Sequence, residues 1–286
     1  MIEFLASNAL AYLIFVFILS LLVGSFLNVV IYRIPVMMKN AWQDDVDQHT
    51  KGEDHVSTRP TFNLIKPDST CPKCQHKIRA WENIPVISWL FLRGKCSACK
   101  TPISFRYPFV ELLTACLSTL VAHQLGFNEL AFGFIFVTWL LVAMTFIDLD
   151  EMLLPDIFTL SMLWLGLLMA VYSPLMNAHD AIIGAALGYL SLFSVYWGFK
   201  LLTGKEGMGF GDFKLLAAIG AWVGWQHLPI VILLSSVVGA VVGIALMIKK
   251  NENGTLAIPF GPYLAAAGFL TMLYGNDIAT WYLSTL

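Results

Sequence analysis

The stretch LAYLIFVFILSLLVGSFLNVVIYR (10–33) decides the fold class, because no charged residue interrupts it before Arg33. A helix needs about 20 mostly apolar residues to cross the hydrocarbon core of a bilayer, and a helix satisfies its own backbone polar groups there. The segment therefore predicts a membrane-spanning helix over roughly residues 6–32. Neither Lys nor Arg precedes it and a charged stop follows at Arg33, so it does not read as a cleavable signal peptide with a basic n-region.

The remainder of the chain has the same character. Of its 286 residues 58% are hydrophobic and only 13% charged, with a mean hydropathy of +0.72; a soluble domain carries about 25% charged residues. Seven more apolar runs follow, at roughly 108–125, 130–148, 157–174, 180–201, 211–226, 228–248 and 259–284. The expected fold is an all-α polytopic membrane protein of about eight transmembrane helices, surrounded by lipid. A net charge of −2 gives no electrostatic footprint for nucleic acid.

The basic residues are distributed unevenly. Twelve of the 17 Lys and Arg residues lie from Arg33 to Arg106, and threading eight helices through the membrane puts Lys200, Lys205, Lys214, Lys249 and Lys250 on the same side. By the positive-inside rule that side is the cytosol and both termini lie outside. Three parts follow: a first transmembrane helix (1–32), a cytosolic domain between helices 1 and 2 (33–107), and a seven-helix membrane core (108–286). The acidic, turn-rich portion from Asp44 to Pro60 reads as a loop or partly ordered insertion.

The cytosolic part contains CPKC (Cys71, Cys74) and CSAC (Cys96, Cys99), near the spacing of a four-cysteine zinc ribbon. Two disulfides are the alternative, but they rarely persist in a reducing cytosol. Zinc would staple a domain too poor in apolar residues to hold itself together, and four thiolates leave no open position for catalysis. His55 and His76 are further nitrogen ligands in principle, and solvated loop histidines are the simpler reading. Cys116 reads as a small buried apolar residue.

Charges in a bilayer cost several kcal/mol, so intramembrane acids are candidates for function. They are Glu111, the cluster FIDLDEMLLPD (146–156) with Asp148, Asp150, Glu151 and Asp156, and Asp212 within GMGFGDFK (207–214). Two intervening spans carry the chain out and back, so Asp148 and Asp212 arrive at the same membrane face. Two carboxylates in contact there share one proton, so one can act as general base toward water and the other as general acid toward a carbonyl. Helix capping, or pairing with Lys200, Lys205 or Lys214, is the alternative. A phosphate loop at 207–211 is disfavoured because Asp212 would repel the anion; the glycines instead permit close backbone approach and an extended strand beside the acid.

Other residues have simpler readings. Asn28 is expected to hydrogen-bond between helices, and Gly24 and the GAALG pair Gly184 and Gly188 to pack helices closely. Glu111 either contacts substrate or pairs with Arg106 or a helix N-terminus. Pro259 and Pro262 are expected to break the helix at the entry to the last span.

Taken together, GSFLNVVIYRIP (24–35), the paired CxxC motifs, SFRYPFVELLT (104–114), FIDLDEMLLPD (146–156), GMGFGDFK (207–214) and IPFGPYLA (258–265) resemble the bacterial type IV prepilin peptidases over nearly the whole chain. The resemblance implies a bifunctional enzyme of the bacterial inner membrane. It would remove the basic leader of type IV prepilins and type II secretion pseudopilins, its protein partners, with the active site facing the cytosol. It would then N-methylate the new terminus with S-adenosylmethionine. The family's catalytic aspartates map to Asp148 and Asp212, and the glycine of RGKC, linked to methylation and the cofactor, maps to Gly94. No nucleotide-binding glycine fingerprint accompanies it. Acidic residues 44–54 look like an insertion relative to the family. Asp150, Glu151 and Asp156 are expected to attract the leader's basic residues at about 1 kcal/mol or less each.

Two other classes compete on the residues alone. A small transporter would place acids on several helices near the bilayer midplane within inverted repeats, whereas these acids gather at one face. A membrane-tethered zinc module that only recruits partners would not need Asp148 and Asp212.

Overall fold

The computed structural model describes residues 2–51, 59–205, 207–250 and 258–285. It is helical: α1 (Ile2–Ser7), α2 (Ala9–Lys51), a 3₁₀ turn (Ala80–Asn83), α3 (Ile87–Phe91), α4 (Arg106–Leu125), α5 (Glu129–Glu151), α6 (Asp156–Tyr172), α7 (Ala178–Thr203), α8 (Phe210–Val223), a 3₁₀ turn (Trp225–His227), α9 (Leu228–Lys250) and α10 (Gly261–Ser284). Among the described residues only two isolated β-bridges occur. Helices lie over all eight apolar runs, but among the described residues five stretches are long and apolar enough to cross a membrane: Ala9–Thr50, Arg106–Leu125, Glu129–Glu151, Ala178–Thr203 and Trp225–Lys249. The chain divides into two compact units, Leu10–Thr119 and Met1–Ala9 with Leu120–Leu286.

In the larger unit α8 is the centre. It is 14 residues long, about 21 Å at 1.5 Å per residue, and is packed by α6, α7 and α10. Phe213, Leu215, Leu216 and Ile219 are fully buried, as expected of a helix that is apolar all round. The outward side chains of α7 and α9, such as Leu190, Val195, Leu233 and Val241, are exposed and apolar, which suits lipid rather than water as the surrounding solvent. Gly204, at φ +70, ends α7 in a left-handed cap.

The small-residue motif of α7 works as the sequence suggests. A Cβ on Gly184 would overlap the Gly220 carbonyl, one on Gly220 would overlap the Gly184 carbonyl, and one on Gly188 would lie 2.6 Å from the Leu216 oxygen. The α7 and α8 backbones therefore touch, and any side chain would force them apart. At the far end Trp222 donates its Nε1 hydrogen to the Met162 carbonyl at 2.9 Å, joining α8 to α6.

In the smaller unit α2 overruns its expected end. The stretch read as a loop from Asp44 is helical as far as Lys51. Arg59 explains this: it donates to the Asn40 carbonyl at 2.9 Å and pairs with Asp44 at 3.1 Å and Asp47 at 3.6 Å. One guanidinium thus gathers an acidic helix face that would otherwise repel itself. Arg33 is more than a charged stop: it is buried and donates to the carbonyls of Asn63 at 2.7 Å and Pro67 at 2.6 Å. Asn28 donates to Tyr107 O at 3.2 Å, linking α2 to α4 as expected. Cys116 is exposed on α4 rather than buried.

Replacing Gly184 by Val will force α7 from α8. Overpacking costs about 1–3 kcal/mol, so the variant should unfold at lower temperature in detergent and lose function through displacement of α8.

Candidate active site

The last turn of α5 carries the first acid. Asp148 is 5% exposed, and its carbonyl accepts the Met152 N–H at 2.9 Å. Met152 closes the helix with a left-handed φ of +51. The chain then turns through buried Leu154 and Pro155 into α6.

The first turn of α8 carries the second acid. Gly209 is extended, with φ −80 and ψ 150, and Asp212 follows at the third helical position. Its carboxylate sits at the positive end of the helix dipole and is 8% exposed. The extended strand expected across 207–211 is shorter than that, since Gly211 is already helical. Its lack of a side chain serves contact: a Cβ there would lie 2.8 Å from Leu154 Cβ. Phe213 locks this turn onto α7, with edge-on rings of Tyr189 at 5.9 Å, Phe193 at 6.2 Å and Tyr196 at 5.6 Å, each such pair contributing about 0.5–1.5 kcal/mol.

A third helix end completes the arrangement. The Gly261 N–H, at the start of α10, donates to Asp148 Oδ2 at 2.9 Å. A Cβ at Gly261 would come 2.6 Å from that oxygen and 3.1 Å from Leu154 Cδ2. Leu154 therefore touches the glycines beside both acids, and Asp148 lies within electrostatic reach of Asp212. Pro262 occupies the first turn of α10, where its missing N–H costs nothing.

Two of the three lysines weighed as partners, Lys200 and Lys214, are engaged elsewhere. Lys214 binds both oxygens of Asp156 at 2.7 Å, and Lys200 approaches the Tyr196 hydroxyl at 3.2 Å and the Tyr196 and Trp197 rings. Asp156 is thus ion-paired, while Asp150 and Glu151 lie exposed at the end of α5.

In the smaller unit the four cysteine sulfurs lie within 4.8 Å of one another, with Cys71 and Cys99 at 3.7 Å and Cys74 and Cys96 at 4.0 Å. The two hairpins that present them match: the residue after each second cysteine, Gln75 or Lys100, takes a left-handed φ of 60 or 59, and the bridges Thr70 to Lys77 and Lys95 to Pro102 close the turns. The Thr101 hydroxyl at 3.1 Å and backbone hold the Cys99 thiol down to about 6. Four soft donors so disposed can hold a metal ion. His76 instead lies 3.2 Å from Glu82 Oε2; His55 falls outside the described residues.

Gly94 is buried at φ +64, and a Cβ on it would be 2.8 Å from the Trp89 indole. Its N–H donates to Trp89 O at 2.8 Å, and its carbonyl accepts from Ile103 at 2.7 Å. Only glycine meets both the backbone angle and the packing. Glu111 is buried and accepts the Val86 N–H at 2.7 Å, at the N-terminus of α3. Val86 has φ +59, an outlier for a β-branched residue, so Glu111 stabilises a strained turn. Gly24 makes room for it: a Cβ there would lie 2.7 Å from Glu111 Cα.

Residues 18–125 match the bacterial peptidase A24 N-terminal domain and residues 134–244 the type IV leader peptidase family. The chain is 55% identical over 273 residues to a prepilin leader peptidase/N-methyltransferase of Aeromonas hydrophila, covering 96% of this chain and 94% of the relative. The chain belongs to the type IV leader peptidase family. Within that family, proteins of the same name from Pseudomonas aeruginosa and Neisseria gonorrhoeae are 50% and 46% identical, covering 99% and 93% of this chain and 97% and 93% of their own length. No solved structure matches.

For this member of the family, sequence reasoning missed Gly261, whose N–H reaches Asp148 from 113 positions away, and Leu154, which touches the glycines beside both acids. The IPFGPYLA motif is the available signal: it carries part of the family resemblance and a helix break at the mouth of the site, and neither reading singles out the Gly261 N–H. The Asp156–Lys214 pair is 56% and 30% exposed, so Lys214→Ala should lower stability by no more than about 1 kcal/mol, measurable by thermal unfolding.

Proposed function

We propose that this chain cleaves the leader peptide from type IV prepilins at the membrane face and then N-methylates the new terminal residue. The observation that carries the reading is the pair of buried carboxylates, Asp148 and Asp212, on the ends of α5 and α8, inside an apolar helical unit. Type II secretion pseudopilins are substrates of the same chemistry, since cleavage acts on the junction of basic leader and apolar helix.

In the proposed reaction the acid pair holds one proton. The ionised carboxylate takes a proton from water as the water oxygen attacks the scissile carbonyl, and the protonated one gives its proton to the carbonyl oxygen. Collapse of the tetrahedral adduct breaks the C–N bond, and a proton passes to the departing amine. Burial excludes competing water and strengthens each interaction. Asp150 and Glu151 attract the basic leader from outside; Asp156, paired with Lys214, is removed from that set.

The proposed topology has eight crossings, the short α8 being carried by its neighbours, with both termini periplasmic in the bacterial inner membrane and the acids facing the cytosol. The parts are residues 1–32, a methylation-linked domain over 33–107 and a peptidase core over 108–286. Zinc is the proposed metal of Cys71, Cys74, Cys96 and Cys99, because tetrahedral Zn–S bonds of about 2.3 Å put sulfurs about 3.8 Å apart, near the separations observed. S-adenosylmethionine, when bound, supplies the methyl group. Gly94, buried beneath Trp89, does not present itself to such a cofactor, and its part in methylation is to hold the turn.

Purified protein incubated with a prepilin tests the reading. Asp148→Asn and Asp212→Asn should each lower cleavage by at least about 10²-fold while leaving the protein folded, and leader removal by either at the parent rate would sink the two-aspartate mechanism. Metal analysis should find one zinc per chain, lost in Cys71→Ser/Cys99→Ser; a metal-free parent purified without chelator would refute the zinc assignment.

A further inference from the structure

We infer that Gly261 is a positioning residue for peptide cleavage: its backbone N–H fixes one oxygen of the Asp148 carboxylate and thereby presents the other to the reaction. The inference rests on the reading of Asp148 as a member of the catalytic pair.

The start of α10 is built to leave that donor available. Pro262 has no N–H, and the Tyr263 and Leu264 N–H groups both turn back to the Phe260 carbonyl, at 3.1 and 3.2 Å. Gly261 alone among these first residues sends its N–H away from the helix, to Asp148 Oδ2. Among the described residues Asp148 Oδ1 has no hydrogen-bond partner. An aspartate rotates through a broad, nearly two-fold torsion at χ2, so a buried carboxylate without a donor has no unique orientation. One N–H bond at a positive helix end removes that freedom.

Glycine is required by the same contact. Any Cβ would sit 2.6 Å from the oxygen that the N–H holds and 3.1 Å from Leu154 Cδ2. The carboxylate must therefore move whenever position 261 carries a side chain, even though the donor remains. Capping alone would make this bond a matter of α10 stability; the crowding at the oxygen makes it a matter of where the acid points.

The test compares cleavage and methylation by the full-length protein. Gly261→Ala should lower kcat for prepilin cleavage by about 10²-fold, the effect of misplacing a reacting group by about 1 Å. KM should stay within about twofold, and methylation of an already cleaved pilin should be unchanged. Gly268→Ala, also in α10, whose Cβ would crowd the end of the Ile219 side chain of α8 at 2.8 Å, should lower thermal stability without lowering kcat. If Gly261→Ala does not accumulate, Gly261→Ala/Leu154→Ala relieves the Leu154 contact and should show the same kcat loss relative to Leu154→Ala. Equal cleavage within that pair, or a parallel fall in cleavage and methylation, overturns the inference. Asp148→Asn in the same assay separates the two readings: if it cleaves normally the catalytic assignment fails, whereas an inactive Asp148→Asn beside a fully active Gly261→Ala removes only the positioning role.

Discussion

The contact of the α7 and α8 backbones at Gly184 and Gly220 is the constraint on which the larger unit depends. A helix of 14 residues is too short to cross the roughly 30 Å hydrocarbon core unaided, and it must be enclosed. Backbone-to-backbone packing, available only to glycine, lets α7 approach closely enough for the aromatic group around Phe213 to close over the first turn of α8. Asp212 is fixed because that turn is fixed. The acid is thus held by the apolar packing of its own turn, with the Gly209 backbone as the polar partner of its carboxylate.

The smaller unit solves a different problem. Between α2 and the start of α4 its described residues form little apolar core, and their order comes from specific polar anchors. Arg33 binds two carbonyls, Glu111 holds the strained Val86 turn, and the cysteine hairpins bring four sulfurs together. Such anchors are short-range and directional, so the unit's stability is concentrated in a few residues whose loss leaves buried polar groups unpaired.

The sequence made the helices legible because lipid imposes one requirement, an uninterrupted apolar run, which needs no knowledge of neighbours. Asp148, Asp212 and the four cysteines were legible because their residue types are costly or distinctive where they stand. The helical reach of α2 was not, because it depends on Arg59 returning from beyond Lys51 to neutralise Asp44 and Asp47. Gly261 was not legible either. Its function lies in a backbone N–H, which every residue but proline has, and its meaning appears only when a carboxylate 113 positions earlier is seen to receive it. Gly94 shows the reverse, a residue whose family link suggested a ligand and whose backbone angle and buried contact with Trp89 are structural requirements.

The length of α2 carries a mechanical consequence. Its 43 residues make a rod of about 65 Å at 1.5 Å per residue, against a hydrocarbon slab of about 30 Å. Roughly half of the rod stands clear of the lipid, and Arg59 is fastened to that outer half. Pro35 lies inside the helix just beyond the apolar run, and an interior proline removes one of the backbone hydrogen bonds that keep a helix straight. The two halves of α2 therefore meet at a residue that cannot donate a backbone hydrogen bond, the weakest point of the rod against bending.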